Sequence, residues 1–158
     1  MAAPTYPQTN VPHVAHKPME WSVFRAKASI WAVPVGRTLF ALIFVISAWG
    51  HFTQALIDHA AMEGVLWPNF LVPASGVLAL AGGLSILFGY HARIGALLIL
   101  AFLLPVTFAM HDFWNYPEAM AQANQLAHFL KNVSMMGGAL YLAFYGAGPV
   151  SVDHNAKA

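Results

Sequence analysis

The 158-residue chain has no cysteine. Disulfides, iron–sulfur ligation, and thiol or persulfide chemistry within the chain are excluded by that absence alone. Charge is also scarce: 8% of residues are Asp, Glu, Lys or Arg, against 59% hydrophobic, far from the usual soluble balance. The net charge of +1 offers no electrostatic case for nucleic acid. The N-terminal stretch lacks a short apolar core followed by a small-residue cleavage site, so no cleaved signal peptide is expected.

What is present is apolar and segmented. Residues 38–57, 64–91, 94–111 and 132–152 contain no Asp, Glu, Lys or Arg. A helix needs about 20 mainly apolar residues to cross the hydrocarbon layer, so each stretch can span once. A soluble protein with four wholly buried helices would need more surrounding chain than this length leaves. The prediction is an all-α integral membrane four-helix bundle with spans at 34–57, 70–88, 94–111 and 126–146. Pro34 sits near a helix start, where its missing N–H does no harm. Pro105 lies inside the third span and predicts a kink or a freed carbonyl. Gly148-Pro149 follows the fourth span as a helix-ending pair.

Residues 1–18 hold Pro4, Pro7, Pro12 and Pro18 among polar side chains, a composition expected to form a disordered tail. Over 19–33, Trp21, Phe24, Ala28 and Trp31 recur at helical spacing with Glu20, Arg25 and Lys27 among them, which predicts an interfacial amphipathic helix. Residues 154–158 are read as a second short tail. Lys17, Arg25, Lys27, Arg37, Arg93 and Lys157 fall on one side of the four spans. That side is predicted to be cytoplasmic, with both termini inside and the loops at 58–69 and 112–125 outside.

Polar residues within this chain are few enough to single out. Gly76, Ala79, Gly82, Gly83, Gly137, Gly138 and Ala139 suit close helix approach in lipid, without implying an activity. His51, His111, Asp112, His128, Lys131 and Asn132 gather toward the outer ends of spans one, three and four. Positions 128, 131 and 132 share one helical face, which must point inward because lipid cannot satisfy His, Lys and Asn. Asp112 is the nearest expected counter-ion for Lys131. His111, Asp112 and His128 suggest a two-His, one-carboxylate metal site or haem ligation, but neither spacing is diagnostic and no metal site is assigned; haem is disfavoured.

Residues 36–39 (GRTL), 47–52 (SAWGHF), 111–115 (HDFWN), 129–132 (FLKN) and 146–153 (GAGPVSVD) together resemble the DoxX family of small four-helix membrane proteins. The likeness covers about residues 34–153. The position held here by His51 is often Lys in that family. The resemblance implies a multi-pass bundle in the bacterial cytoplasmic (inner) membrane, linked in some relatives to quinone-dependent oxidation. Without Cys, any persulfide step would have to occur on a partner.

The sequence reading is therefore a membrane subunit of a quinone-linked oxidoreductase system acting with a separate redox partner. The rival is a non-catalytic membrane anchor or assembly protein that recruits a soluble partner. On the first reading His111, His128, Lys131 and Asp112 carry the chemistry, and His51, Phe113, Trp114 and Asn132 contact the quinone. The lipid bilayer is the expected environment, with a protein partner or a second copy beside it and no nucleic acid.

Overall fold

The computed structural model describes the backbone of residues 21–155 and the side chains of residues 30–153. The tails at 1–18 and 156–158 lie outside the described residues, as do most side chains of the amphipathic stretch. Six helices follow in order: α1 (Trp21–Ser47), α2 (Gln54–Met62), α3 (Pro68–Phe88), α4 (Ala92–Met110), α5 (Ala119–Tyr145) and α6 (Val152–Asn155). Short 3-10 turns occupy Ala48–Phe52 and Phe113–Asn115, and no strand occurs among the described residues.

No break separates the amphipathic stretch from the first span, because α1 runs through Pro34. The sequence reading missed α2 altogether, placing its residues partly in span one and partly in a loop. Helix α4 likewise continues through Pro105. Proline has no N–H, so the carbonyl four residues earlier, on Ala101, loses its helical donor there.

Among the described residues, three stretches are long and apolar enough to cross a membrane: Ile30–Phe52, Pro68–Phe88 and Ala92–Asn115. Helix α5 has 27 residues and is not among them. Its first half carries Gln122, Asn124, Gln125, His128, Lys131 and Asn132, which dilute its apolar character.

Large apolar side chains face outward on every long helix, with Leu39, Ile46, Leu104, Phe108, Leu140 and Phe144 all more than half exposed. In water such a surface would be an aggregation hazard. In lipid it is the expected coat, and the interior is built from small residues that let backbones approach. Ala41, Ala48, Ala79, Ala96 and Ala139 are fully buried, with Phe44, Ile86, Ile99 and Leu103 filling between them. A Cβ on Gly82 would lie 2.8 Å from the carbonyl oxygen of Gly95, so α3 and α4 cross where neither has a side chain. Helix α1 packs on α3, α3 on α4, and α4 on α5. Phe40 lies so close to Gly138 that an added Cβ would meet its ring at 2.9 Å, which brings α1 against α5.

The two ends of this bundle differ in kind. At one end the chain after α5 folds back as a strap beneath the helices. Gly89 closes α3 with φ +64°, its N–H bonding Ile86 O and Tyr90 N–H bonding Ser85 O, the left-handed ending that glycine permits. Asp153 then caps α4 from 61 or more residues away: its carboxylate accepts from His91 N–H at 2.8 Å and Ala92 N–H at 3.0 Å. Its own N–H donates to Gly89 O at 2.8 Å. Arg37, only 6% exposed, donates to Ala147 O at 2.6 Å and Val150 O at 2.9 Å. The motif segments 36–39 and 146–153 therefore meet in space.

Candidate functional site

The opposite end holds the polar cluster. Helix α5 starts at a carboxylate cap, with Glu118 accepting from Met120 N–H at 3.0 Å and Ala121 N–H at 2.6 Å. Those bonds hold the Glu118 carboxyl below its ordinary range. From this start, Gln125 and His128 come up at i and i+3 on one face. His111, just past α4, donates from Nδ1 to Gln125 Oε1 at 2.9 Å. Gln125 Nε2 donates to the Tyr116 hydroxyl at 3.2 Å, and that hydroxyl donates to Glu63 Oε1 at 3.1 Å. The Glu63 carboxylate raises the Tyr116 phenol above its usual value by accepting this bond. His59, one turn before Glu63, stands 4.0 Å from the same oxygen.

The rings of His111 and His128 lie stacked at 5.2 Å and 21°. Lys131 Nζ donates to His128 Nδ1 at 3.2 Å. An ammonium has only protons to offer, so His128 Nδ1 must be the bare nitrogen, while His111 carries its proton on Nδ1 to serve the glutamine oxygen. Beside the pair, Phe113, Trp114 and Phe129 pack edge to face at 5.1–6.1 Å, and Phe108 adds to Phe129 from α4.

His111, His128 and Lys131 come together, and Phe113 and Trp114 pack on Phe129, the next residue of α5; His128 and Lys131 are exposed, not turned into the bundle as their shared helical face predicted. The expected ion pair does not form: no contact within 4.0 Å joins Lys131 to Asp112. Asp112 turns instead toward its own loop, with Oδ2 accepting from Asn115 Nδ2 at 2.6 Å. Its other carboxylate oxygen is buried without a hydrogen-bond partner. Among the described residues, no group of three or more His, Cys, Asp or Glu is placed to hold a metal ion. Asn132 is buried within the bundle.

His51 departs from the cluster and lies among other residues. It packs edge-on against Phe102 at 5.4 Å, and its Nδ1 pairs with Ser75 Oγ at 2.9 Å. Ser75 gives its proton to Val72 O at 2.7 Å, so His51 is the donor in that pair. An apolar cavity of about 220 Å³ opens between α2, α3 and α4, with Ser75 its single polar side chain and Ala101, Phe102 and Pro105 on its α4 wall.

Residues that the sequence reading passed over include Gln125, Tyr116, Glu63 and Ser75. The i, i+3 spacing of Gln125 to His128 was the available signal for the first. The others join by tertiary contact and leave none in the sequence.

Outward apolar faces, small-residue crossings and polar residues confined to the ends define an all-helical integral membrane protein. The sequence pattern of the SURF4 family matches residues 71–158, and the chain belongs to that family. It is 36% identical over 121 residues to the inner membrane protein YqjF of Escherichia coli K12, covering 77% of this chain and 88% of that one. It is 26% identical to the inner membrane protein YphA of the same organism, over 75% of this chain and 86% of that one. The Surfeit locus protein 4 homolog of Schizosaccharomyces pombe is 30% identical over 60% of this chain, which spans 31% of that longer protein. No solved structure gives a significant match.

These findings correct the DoxX assignment. The SURF4 match contains three of the five segments on which the DoxX resemblance rested, those at 111–115, 129–132 and 146–153. Short runs at helix ends are set by capping, turn and interface chemistry that small membrane bundles share, and so they do not discriminate between families.

Proposed function

We propose that the chain is a four-span protein of the bacterial inner membrane, with both termini cytoplasmic, that acts as a non-catalytic anchor or assembly protein recruiting a partner. Helix α5 packs along α4, which supports counting it as the fourth span despite its polar first half. The E. coli relatives, inner membrane proteins by name, support the location. Arg37 and Arg93 lie at the strap end, which supports placing that end inside.

One observation carries the non-catalytic reading. The outer polar side chains bond to one another from His111 through Gln125 and Tyr116 to Glu63, tying α5 and the outer loop to α2. That is how a rigid platform is made. None of the residues lining the apolar cavity belongs to this cluster, whereas a quinone site needs a concave slot with polar groups placed to fix the ligand. The apolar cavity between α2, α3 and α4 has one hydroxyl in its lining, and that proton is already given to Val72 O.

The second reading, a quinone-linked oxidoreductase subunit with a redox partner, is favoured by the stacked His111 and His128 with Lys131 bonded to the second ring. Two imidazoles and an ammonium at one depth suit proton transfer to a reduced quinone. Purification in mild detergent, followed by solvent extraction and identification of copurifying proteins, separates the two. The expected result is a retained partner and no stoichiometric quinone. Stoichiometric quinone that disappears in His111→Ala and His128→Ala chains would overturn the anchor reading.

A further inference from the structure

The strap end carries a cleft that neither reading uses. It measures about 800 Å³ and lies between the first turn of α4, His91, Arg93 and Ile94, and the chain from Tyr145 to Asp153. Its charges are unequal in their commitments. Asp153 is engaged by two backbone N–H groups of α4 and stands near the buried Arg37, whose charge interacts with it. Arg93 is exposed and forms no hydrogen bond or ion pair with any described residue. A Cβ on Gly146 would stand 3.3 Å from Arg93 Nε, so the guanidinium lies across the end of α5, beside the cleft. The local sum of Arg37, Arg93 and Asp153 leaves one positive charge over, and Arg93 holds it.

The walls specify more than charge. Ile94 is 56% and Tyr145 63% exposed, and both continue onto the lipid-facing sides of α4 and α5. A guanidinium fork at one end of an apolar wall suits a phosphate joined to a hydrocarbon body. We infer that this cleft binds a phosphate group, with Arg93 its principal ligand and His91 beside it. Anionic membrane lipid and free phosphate share that chemistry; the apolar walls suit the lipid.

The full chain in detergent is titrated separately with phosphatidylglycerol, phosphatidylcholine and inorganic phosphate. Native mass spectrometry reads the lipids and calorimetry the inorganic ion. Phosphatidylglycerol should bind about tenfold tighter than phosphatidylcholine, and Arg93→Gln should weaken it about tenfold, the scale of one charge-assisted contact. Arg93→Lys should keep most of the affinity. Inorganic phosphate binding with the same dependence on Arg93 would support the site with a soluble anion as its source. Equal binding of the two lipids by a parent chain that binds no inorganic phosphate, or undiminished binding of every probe by a folded Arg93→Gln chain, would overturn it. If Arg93→Gln fails to fold, the parent's preference between the two lipids and phosphate decides alone.

Discussion

The guanidinium of Arg37 reaches the carbonyl of Ala147, 110 residues further along the chain, at 2.6 Å. This bond, with the one to Val150, ties the first long helix to the strap. Arg37→Met should destabilise the protein by about 2–4 kcal/mol, since two charge-assisted bonds to carbonyls are lost and those carbonyls are left unpaired. Asp153→Asn should cost about 1 kcal/mol, because an amide still accepts from one N–H but loses its charge at the start of α4. Thermal unfolding in detergent checks both. Stability unchanged by Arg37→Met would show that the strap does not hold the fold.

Lys131→Met and Asp112→Asn should act independently. Because the two side chains do not meet, a double-mutant cycle on thermal stability should close to within about 0.5 kcal/mol. A coupling well above that would mean the pair forms in the membrane.

Helix crossings give a paired test. Gly82→Ala should destabilise by about 1–3 kcal/mol, since its Cβ would press on the Gly95 carbonyl oxygen at 2.8 Å and overpacking costs that much. Gly137→Ala meets nothing within 4 Å and should be neutral or stabilising by up to about 1 kcal/mol. Equal effects would place the α3–α4 contact elsewhere.

The Glu118 cap sets a pH dependence with a definite sign. Its folded carboxyl titrates below the ordinary 4.5, so its contribution to α5 is complete above that value and is lost as pH falls through the lower folded one. Glu118→Gln should flatten the acid limb of the stability curve and lower stability slightly at neutral pH. A parent and variant that lose stability in parallel between pH 5 and 3, about the ordinary carboxyl range, would exclude the cap as a cause.

Topology is open to labelling because the chain has no Cys. Glu63→Cys and Glu118→Cys should react with an impermeant thiol reagent in intact cells, and Arg93→Cys should not. The reverse pattern would invert the bundle.

Spans one to three were legible in the sequence because a bilayer imposes a long uncharged run on each crossing helix, and few competing physical causes write that pattern. Boundaries were less so. Helix α2 was missed because nine residues of mixed polarity, Gln54–Met62, read equally as a loop or as the end of span one. Around the polar cluster, the meeting of His111, His128 and Lys131 could be seen from depth along the helices, since depth is counted in residues. Partners could not be seen, because direction around the helix and the reach of Gln125 and Tyr116 depend on how α4 and α5 rotate against each other. Arg37 was read for its sign and as part of the 36–39 motif but not for the acceptors that an arginine at the edge of an apolar run needs, although residues 146–153 were already marked as a motif.

The buried contact of Arg37 also imposes an order on biosynthesis. Its acceptors are made 110 and 113 residues after it, an interval of roughly 5–20 s at ordinary translation rates. Until then the guanidinium has no carbonyl of its own chain to hold it and must keep to the headgroups or water, as long cationic side chains do. The first helix therefore enters the bilayer before its strap end can be sealed, and a ribosome that stalls short of residue 147 leaves a charged, unlatched protein for membrane proteases to recognise.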